Sequence, residues 1–400
     1  MQLETLIFDP SPCDFPKPRL PLLPVGLDGI SFQTVLRWAP AEHFRHFSRG
    51  RYALHAAYRL SGLGPGTALL APAYHCRAML DAALALGSDI VLYPLNPDLS
   101  PDFSALERCA GACATPIKAV LATHFFGFPQ DFAKLAEWCS ARGITLIEDA
   151  SHAFFIEQHR PDGMGIYGEF VVSSPYKFLP TPDGGLLYAR DPTRLQAISL
   201  RRQRWAAELR GVKSLIERKR RMNSLPDTDW MARELANLTA HPTPAAREMR
   251  IVASFSGDYR PAQAEYLGLR LSRLLYRHPD IALISRRRRE NYARWLAISK
   301  TLPHCHPLFP VLPENCIPYM FPLYLAEPEK HFILLKRLGM PIWRWDSLAV
   351  SQCQTAQDYL LHLLHLPCHQ SLDERQMNWM ADILAKTLNM GHGKPEQSIR

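Results

Sequence analysis

Two short segments of the sequence supply a carboxylate and a lysine that could act together. Asp149 stands at the end of a predicted strand, within Gly143-Ile-Thr-Leu-Ile-Glu-Asp-Ala-Ser-His152. Lys177 precedes a Gly-Gly strand start, within Ser173-Ser-Pro-Tyr-Lys-Phe-Leu-Pro-Thr-Pro-Asp-Gly-Gly185. A lysine amine forms a Schiff base with the aldehyde of pyridoxal phosphate (PLP), and a carboxylate keeps the cofactor's pyridine nitrogen protonated, so that the ring can act as an electron sink. The two residues therefore predict a PLP-dependent enzyme.

The elements around these residues alternate between strands and helices from about residue 50. The predicted strands are 67–71, 90–93, 119–122 and 144–147, and the predicted helices among them are 52–60, 75–86 and 132–142. This alternation predicts an α/β fold with a mostly parallel central sheet flanked by helices. Ligands of such sheets bind at the carboxyl ends of the strands, where Tyr74, His124 and Asp149 are expected to lie.

The length of 400 residues predicts more than one structural unit. We expect an irregular, proline-rich segment over residues 1–40 and a large PLP-binding domain over 41–255. That domain would carry a helical insertion near 205–255, and a smaller C-terminal α/β domain would occupy 256–400.

Long connecting helices are expected in the C-terminal domain. The apolar spacing predicts helices over 261–276 and 285–299, and a helix over 329–338 after a strand that follows Cys316. A terminal helix is predicted over 371–388, with Ser371 as N-cap and Glu374 completing a capping box.

The composition excludes several classes of protein. Hydrophobic residues make up 47% and charged residues 21% of the chain, which is typical of a soluble globular protein. No stretch is long and apolar enough to span a bilayer, and the N-terminus lacks the features of a signal peptide. Nine cysteines without a Cys-x-x-Cys pair argue against a disulfide framework and a zinc ribbon, and predict a cytoplasmic protein without a metal site.

The formal net charge of +8 raises the question of anionic partners. Two basic runs, Glu217–Arg221 and Ser285–Glu290, contribute much of this charge. Both lie in helical patterns, which favours solvated helix faces. Zinc-finger spacing and an aromatic-rich RNA-binding signature are both missing, so neither nucleic acid nor membrane is predicted as a partner.

Four segments of the chain, in this order, resemble the DegT/DnrJ/EryC1/StrS sugar aminotransferases, which are fold-type I PLP enzymes. They are Pro72-Ala-Tyr-His-Cys-Arg77, His124-Phe-Phe-Gly127, Glu148-Asp-Ala-Ser-His152 and Lys177-Phe-Leu-Pro-Thr-Pro-Asp-Gly-Gly185. The resemblance covers about residues 49–190 and resumes at about 256–300. It implies PLP as cofactor and a homodimer. It also implies transfer of an amino group, with L-glutamate the expected donor, to a nucleotide-linked keto-sugar in cell-surface polysaccharide or secondary-metabolite biosynthesis.

The resemblance also assigns roles to single residues. Lys177 would carry the cofactor and act as general acid and base, and Asp149 would pair with the pyridine nitrogen. His152 would lie near the phenolic oxygen of the cofactor or help to position Asp149; the alternative is a satisfied interior histidine. Ser174 is expected to bind the phosphate, because Ser174-Pro-Tyr-Lys177 resembles the Ser-x-x-Lys of other aminotransferases with this fold.

Stacking on the pyridine ring is expected from Tyr74 or His75. Tyr74 could equally be a core aromatic at a strand end, and strict alignment places Cys76 at the aromatic position of the family.

Other departures concern the phosphate. Gly50 and Arg51 occupy the place of the family's Ser-Gly-Thr, where Gly50 allows a close backbone approach and Arg51 could supply charge. Val172 stands where a serine is usual. Asp258 replaces an asparagine that, in the family, reaches the phosphate from the neighbouring subunit, and an aspartate would repel it.

The sequence leaves two other functions open. One is a different PLP reaction, dehydration or decarboxylation, although family dehydratases have a histidine in place of Lys177. The other is an inactive PLP-fold protein that serves as a binding or regulatory partner, which the altered phosphate site would favour.

Overall fold

The protein is represented by a computed structural model that describes residues 3–7, 15–33, 41–153, 165–220, 225–226, 228–240, 248–252 and 259–390. Asp258, expected near the cofactor phosphate, lies outside the described residues. Within the described part of the chain, no helix is long and apolar enough to cross a membrane.

A seven-stranded sheet forms the centre of the larger lobe. Its strands are β2 (Phe44–Phe47), β3 (Ala68–Pro72), β4 (Asp89–Tyr93), β5 (Ile117–Thr123), β6 (Thr145–Ala150), β7 (Phe170–Ser173) and β8 (Gly185–Ala189). They lie in the order β2-β8-β7-β6-β5-β3-β4, and β3 to β7 pair in parallel while β8 runs antiparallel to both neighbours. The predicted α/β fold with a mostly parallel sheet is confirmed.

Helices connect these strands, as the alternating pattern predicts. They are α1 (Gly50–Leu60), α2 (Arg77–Leu84), α3 (Phe103–Ala112) and α4 (Ala133–Ser140). The chain leaves β3 for β4 on one side and returns on the other side as β5, so the strand order reverses beside β3. Such a reversal opens a crevice at the carboxyl ends of the strands. Register places Thr123, Asp149 and Val172 side by side at that end of β5, β6 and β7.

The N-terminal segment is less irregular than predicted. β1 (Leu3–Ile7) is a strand that pairs antiparallel with β9 (Glu248–Val252) and with β12 (Ser347–Ala349). The alternating Leu3, Thr5 and Ile7 suit a strand, but proline content dominates the composition of this region and hides that signal. The predicted insertion contains α5 (Trp205–Arg220) and α6 (Thr228–Ala240) as well as the strand β9.

The C-terminal part combines a second sheet with helices. An antiparallel sheet has the order β10 (Cys305–Pro307), β11 (Met320–Leu325) and β13 (Leu363–Pro367). Its helices are α7 (Arg270–Leu275), α8 (Ile281–Ser299), α9 (Pro328–Arg337), α10 (Gln354–His362) and α11 (Glu374–Leu388).

Three helix predictions in this part are wrong in their starts. The helix predicted over 285–299 begins at Ile281, where the side chain of Asp280 caps it. The predicted helix 261–276 is a 3₁₀ turn over Pro261–Glu265 and then only the short α7. Pro261 supports the turn, and Tyr266 leaves it in an extended conformation that places it beside Arg201. The terminal helix begins at Glu374 rather than at Ser371, because Asp373 and Gln376 form the capping box. Ser371 instead accepts a hydrogen bond from the backbone N–H of Val25.

Candidate active site

A pocket of about 580 Å³ opens at the carboxyl ends of the parallel strands. Its walls come from the large lobe and from β11, β12, β13 and the residues that precede β12. Six of the predicted site residues line it: Gly50, Arg51, Asp149, His152, Ser174 and Lys177. A pocket of this size suits a small organic cofactor together with part of a substrate.

Asp149 stands at the base of the pocket, one residue before the end of β6. It is only 1% exposed, and its Oδ1 accepts the backbone N–H of Ser151 at 2.8 Å. This bond fixes the carboxylate and turns the chain out of the strand. The arrangement can hold a cationic nitrogen at the base of the pocket, as PLP chemistry needs.

Glu148, next to Asp149, has a scaffold role. Its carboxylate accepts the backbone N–H groups of Gly165, Tyr167 and Gly168 at 2.6–2.7 Å, and His124 Nε2–H at 2.8 Å. Burial alone would raise the pKa of Glu148, but the hydrogen bonds from His124 and from the backbone lower it below its usual value. Because the backbone N–H of Gln130 donates to His124 Nδ1, the proton of this imidazole is on Nε2.

This network accounts for two of the sequence motifs. The His124 segment and the Glu148 segment are bound to each other next to Asp149. Gly127, in the same segment, has a φ of +93° and faces the backbone oxygens of Ile317 and His152. A Cβ at Gly127 would lie 2.6 Å from the Ile317 oxygen, so glycine allows the loop that follows β5 to approach the C-terminal lobe closely.

His152 is buried in the pocket wall among aromatic rings. Its Nδ1 accepts the N–H of Phe126 at 3.4 Å, and its ring centroid lies 4.6 Å from that of Tyr319. Burial, followed by the charges of Lys177 and His365, lowers the pKa of His152 well below its usual range. The imidazole is therefore neutral at physiological pH, with its proton on Nε2.

Lys177 ends a 3₁₀ turn, Pro175–Lys177, that follows β7. Its backbone N–H donates to the oxygen of Ser174 at 3.0 Å, and Pro175 presets the turn. Its ammonium lies 5.2 Å from the ring centroid of Tyr319. The turn thus carries the lysine side chain into the same pocket as Asp149.

The N-terminus of α1 forms another wall of the pocket and suits a phosphate. Gly50 is the first residue of this helix, and neither it nor Arg49 caps the helix with a side chain. Ser174 Oγ donates to Ser151 Oγ at 3.1 Å beside it, and Arg49 stacks on Tyr176. The positive end of the helix dipole, the hydroxyls of Ser151 and Ser174 and the arginines favour a dianion there. The residues present fit the phosphate of PLP.

We expect Gly50→Ala to weaken PLP binding at least about tenfold, because the new Cβ would overlap Ser174 Oγ in this wall. Titration of the protein with PLP, followed by fluorescence quenching, measures the effect. Gly64→Ala is the control, since its Cβ would lie 3.9 Å from its nearest neighbour, the Leu86 oxygen. Equal affinities of the two variants would contradict the phosphate assignment.

Tyr74 and His75 do not line the pocket, so the structure does not support their predicted stacking role. Both are completely buried. The ring of Tyr74 packs on Trp345 with centroids 4.4 Å apart, and its hydroxyl bonds His365 Nε2 at 3.3 Å. His75 Nε2 accepts the N–H of Ala349. These two side chains pack between the lobes, whereas Cys76 lines the pocket.

Several pocket residues were not predicted from the sequence. Tyr319, Trp345, Arg344 and His365 reach the pocket from the C-terminal lobe, and Ser151 from the large lobe. Ser151 lies inside the segment Glu148–His152, and its hydroxyl is the signal by which the sequence could identify it. The C-terminal residues carry no local signal, because only the packing of β11 and β13 against the large lobe brings them to Lys177.

His365 makes the pocket sensitive to acid. It is buried beside Tyr74 and Phe126, and burial, then the charges of Lys177 and Arg344, lowers its pKa from 6.5 to about 3. The unfolded chain therefore binds a proton between pH 6.5 and 3 that the folded chain does not. The stability contributed by the neutral histidine is complete above pH 6.5 and is lost as the pH falls towards 3.

The free energy of unfolding of the wild type should fall between pH 7 and pH 4.5. We expect that of His365→Gln to fall by roughly 2–3 kcal/mol less, at about 1.4 kcal/mol per pKa unit. Urea unfolding at the two pH values measures this difference. His306→Gln, at the exposed middle residue of β10, is the control. An unchanged pH dependence of His365→Gln would show that His365 is not the group that titrates.

The chain is similar to known proteins in sequence and in fold. A family model described as the DegT/DnrJ/EryC1/StrS aminotransferase family matches residues 33–225. The family resemblance found in the sequence is thereby confirmed over that range. The chain is 32% identical over 146 residues to the dTDP-4-dehydro-2,3,6-trideoxy-D-glucose 4-aminotransferase of Saccharopolyspora spinosa, a match that covers 36% of this chain and 37% of that protein.

Solved structures share the fold over most of the chain. The aminotransferase TlmJ from Streptoalloteichus hindustanus aligns with a TM-score of 0.56 at 21% identity, covering 88% of this chain and 87% of that one. NtdA from Bacillus subtilis, solved with the bound cofactor PMP, aligns with a TM-score of 0.59 at 16% identity, covering 86% and 73%. At these identities the alignments establish the fold alone.

Proposed function

We propose that this chain, which matches the DegT/DnrJ/EryC1/StrS aminotransferase family over residues 33–225, is a PLP-dependent aminotransferase. One observation carries the proposal: Lys177, Asp149 and the N-terminus of α1 line a single pocket. An amine binds the aldehyde of PLP, a carboxylate binds its pyridine nitrogen, and an anion site binds its phosphate. The cofactor bound by the B. subtilis structure of the same fold is consistent with this reading.

When bound, PLP would supply an electron sink for the electrons released when a C–H bond next to the amino group is broken. Asp149 would hold the proton on the pyridine nitrogen. Gly50 and Ser174 would bind the phosphate, with Arg51 adding positive charge. His152, neutral and with its proton on Nε2, can donate a hydrogen bond to an oxygen of the cofactor ring.

Lys177 would serve first as the nucleophile that holds the cofactor and then as the group that moves the proton. The turn Pro175–Lys177 fixes its backbone, while the side chain keeps the freedom to reach different atoms. The rings of Tyr319 and Trp345 limit the access of water on the side of the C-terminal lobe. Dry surroundings of this kind strengthen the interactions that direct proton transfer.

For the substrates we propose L-glutamate as donor and a nucleotide-linked keto-sugar as acceptor, in cell-surface polysaccharide or secondary-metabolite biosynthesis. The matched relative from S. spinosa is named for such an acceptor, and it supports the proposal over about a third of its length. Arg77 and Arg344 also line the pocket, although each is paired with a carboxylate, of Asp81 and Asp346 respectively, and they would add positive charge for an anionic substrate.

Transfer of ¹⁵N from labelled L-glutamate to a panel of nucleotide-linked keto-sugars tests the proposal. Mass spectrometry would find a labelled amino-sugar. Loss of water or carbon dioxide without nitrogen transfer would replace the proposal with the dehydratase or decarboxylase alternative. A protein that takes up no PLP at all would favour an inactive binding or regulatory protein.

We also propose a cytoplasmic homodimer. The cysteines that the structure describes are all free thiols, as expected in a reducing compartment. One face of α5 bears an exposed apolar stripe of Trp205, Leu209, Val212 and Ile216, with Trp205 72% exposed. The opposite face packs Gly211 on Leu269 and Pro182, close to the Lys177 loop. The stripe has the spacing of a helix–helix seam, so a second copy of the chain can cover it.

Leu209→Glu would then shift the protein from dimer to monomer, because a carboxylate cannot be buried unpaired in an apolar seam. Analytical ultracentrifugation at micromolar concentration measures the change. Val311→Glu, on an exposed apolar residue outside α5, is the matched control. A Leu209→Glu protein that is still dimeric would place the interface elsewhere.

A further inference from the structure

The arginine run of α8 does not form a single solvated face as predicted. Arg286 and Arg287 are exposed and face Glu290, in agreement with the prediction. Arg288, the next residue, is 1% exposed. Helix geometry turns it by about a third of a turn away from its neighbours and towards the Lys177 loop.

The guanidinium of Arg288 binds backbone oxygens from both sides of the pocket. Nη2 donates to the oxygen of Lys177 at 2.9 Å. Nη1 donates to the oxygens of Pro318 and Tyr319 at 3.0 and 3.1 Å. One planar group thus joins the loop that carries the amine to the residue whose ring faces that amine.

Gln370 extends this contact. Its Oε1 accepts from Arg288 Nε at 3.0 Å, and its Nε2 donates to the oxygen of Phe178 at 2.7 Å and to that of Asp28 at 3.1 Å. The guanidinium also lies 4.4 Å from the ring centroid of Phe178. The carbonyl groups of Lys177 and Phe178 are therefore both held from the C-terminal lobe.

The acceptors of these hydrogen bonds are neutral oxygens. A cation buried without a carboxylate is costly, and burial lowers the pKa of Arg288 to about 10, although it is still charged at neutral pH. A planar fork with five N–H donors can reach three carbonyls and an amide at once, which the ammonium of a lysine cannot do in the same geometry. Four charge-assisted hydrogen bonds offset this cost, and they hold these oxygens in fixed places.

We propose that Arg288, assisted by Gln370, is a positioning residue that sets the place of the Lys177 amine relative to Tyr319 and Asp149. The effect of Arg288 on the reaction rests on the proposed function, whereas its hydrogen bonds to the Lys177 loop do not. Arg288 acts through the backbone of Lys177 and does not reach the reacting atoms.

Backbone hydrogen exchange of the protein without added PLP tests the hold on the loop. In Arg288→Lys we expect the amides of Lys177, Phe178 and Leu179 to exchange at least about tenfold faster, because their hydrogen bonds to the oxygens of Ser174 and Pro175 lose the support of the carbonyl contacts. Arg289→Lys is the matched control: Arg289 is on the same helix and binds the oxygens of Pro313 and Cys316 but not that of Lys177. Equal exchange in the two variants would overturn the proposal.

The rate of covalent PLP capture tests the placement of the amine. After mixing with PLP, samples are reduced with borohydride at increasing times and the label on Lys177 is measured by mass spectrometry. In Arg288→Lys we expect capture to be about 10- to 100-fold slower, with unchanged non-covalent affinity for PLP, since the α1 wall is not touched. Unchanged capture together with faster exchange would reduce Arg288 to a purely structural residue and overturn its positioning role.

Two controls keep these outcomes distinct. A wild-type protein that captures no PLP would refute the proposed function, and the exchange experiment would still decide whether Arg288 holds the loop. If Arg288→Lys does not fold, Gln370→Glu replaces it, because it keeps an acceptor for Arg288 Nε and removes both N–H donors. Exchange in Gln370→Glu that matches the wild type at Phe178 would contradict the proposal.

Discussion

Lys177→Ala is expected to lose covalent PLP capture completely and to reduce amino transfer by at least about 10³-fold. The physical reason is that no other described lysine lines the pocket, and the reaction needs one amine both as nucleophile and as proton carrier. Single-turnover kinetics with L-glutamate, followed by the cofactor absorbance, measure the loss. The variant should still bind PLP non-covalently, because Asp149 and the N-terminus of α1 are unchanged.

Two matched variants separate the amine from the charge. Lys177→Arg keeps a cation near the Tyr319 ring but has no nucleophilic amine at neutral pH, so it should be as inactive as Lys177→Ala. Lys213→Ala, in the exposed half of α5, should behave like the wild type. An active Lys177→Arg would show that Lys177 contributes only charge, and the proposed role would be wrong.

Glu148→Ala is expected to cost about 3–5 kcal/mol of the free energy of unfolding, the range found when one partner of a buried charged network is removed. It would leave three backbone N–H groups and the Nε2–H of His124 buried without their acceptor. Urea unfolding at pH 7 measures the loss. PLP affinity should fall as well, since Asp149 directly follows Glu148 in β6.

The controls for Glu148 use the chemistry of the side chain. Glu148→Gln keeps one acceptor oxygen, but its NH2 group then faces backbone N–H groups that need an acceptor. We therefore expect a loss of unfolding free energy between those of the wild type and Glu148→Ala. Glu169→Ala breaks a partly exposed ion pair with Arg194 and should cost no more than about 1 kcal/mol. A Glu148→Ala protein as stable as Glu169→Ala would contradict the scaffold role.

The sequence was sufficient to predict the fold class and the part of the site that lies on one continuous segment. The alternation of apolar strands and helices between residues 50 and 190 fixes a parallel sheet, and its strand ends fix where Asp149 stands. The roles of Glu148 and His124 were not predicted, although both motifs were recognised. A paired carboxylate and histidine become visible only when β5 and β6 lie side by side.

The C-terminal half could not be predicted to the same depth. Tyr319, His365 and Arg288 reach Lys177 through the packing of β11, β13 and α8, and no local pattern encodes that packing. The arginine run illustrates the limit: four identical side chains give no sign of which one faces the core, and the phase of α8 decides it. Tyr74 shows a different limit: its position after a strand suited a ligand contact and a core position equally, and the structure buries it against Trp345 and His365.

The domain boundaries, the site roles and the homodimer are still predictions, and the visible absorption spectrum of the purified protein tests the central one most directly. PLP is added, the excess is removed by gel filtration, and the spectrum is recorded before and after addition of L-glutamate. The account predicts that the wild-type protein retains a yellow band that bleaches with glutamate, and that Lys177→Ala shows no such bleaching. A wild-type protein that retains no band, or a Lys177→Ala protein that bleaches as fast as the wild type, would contradict it.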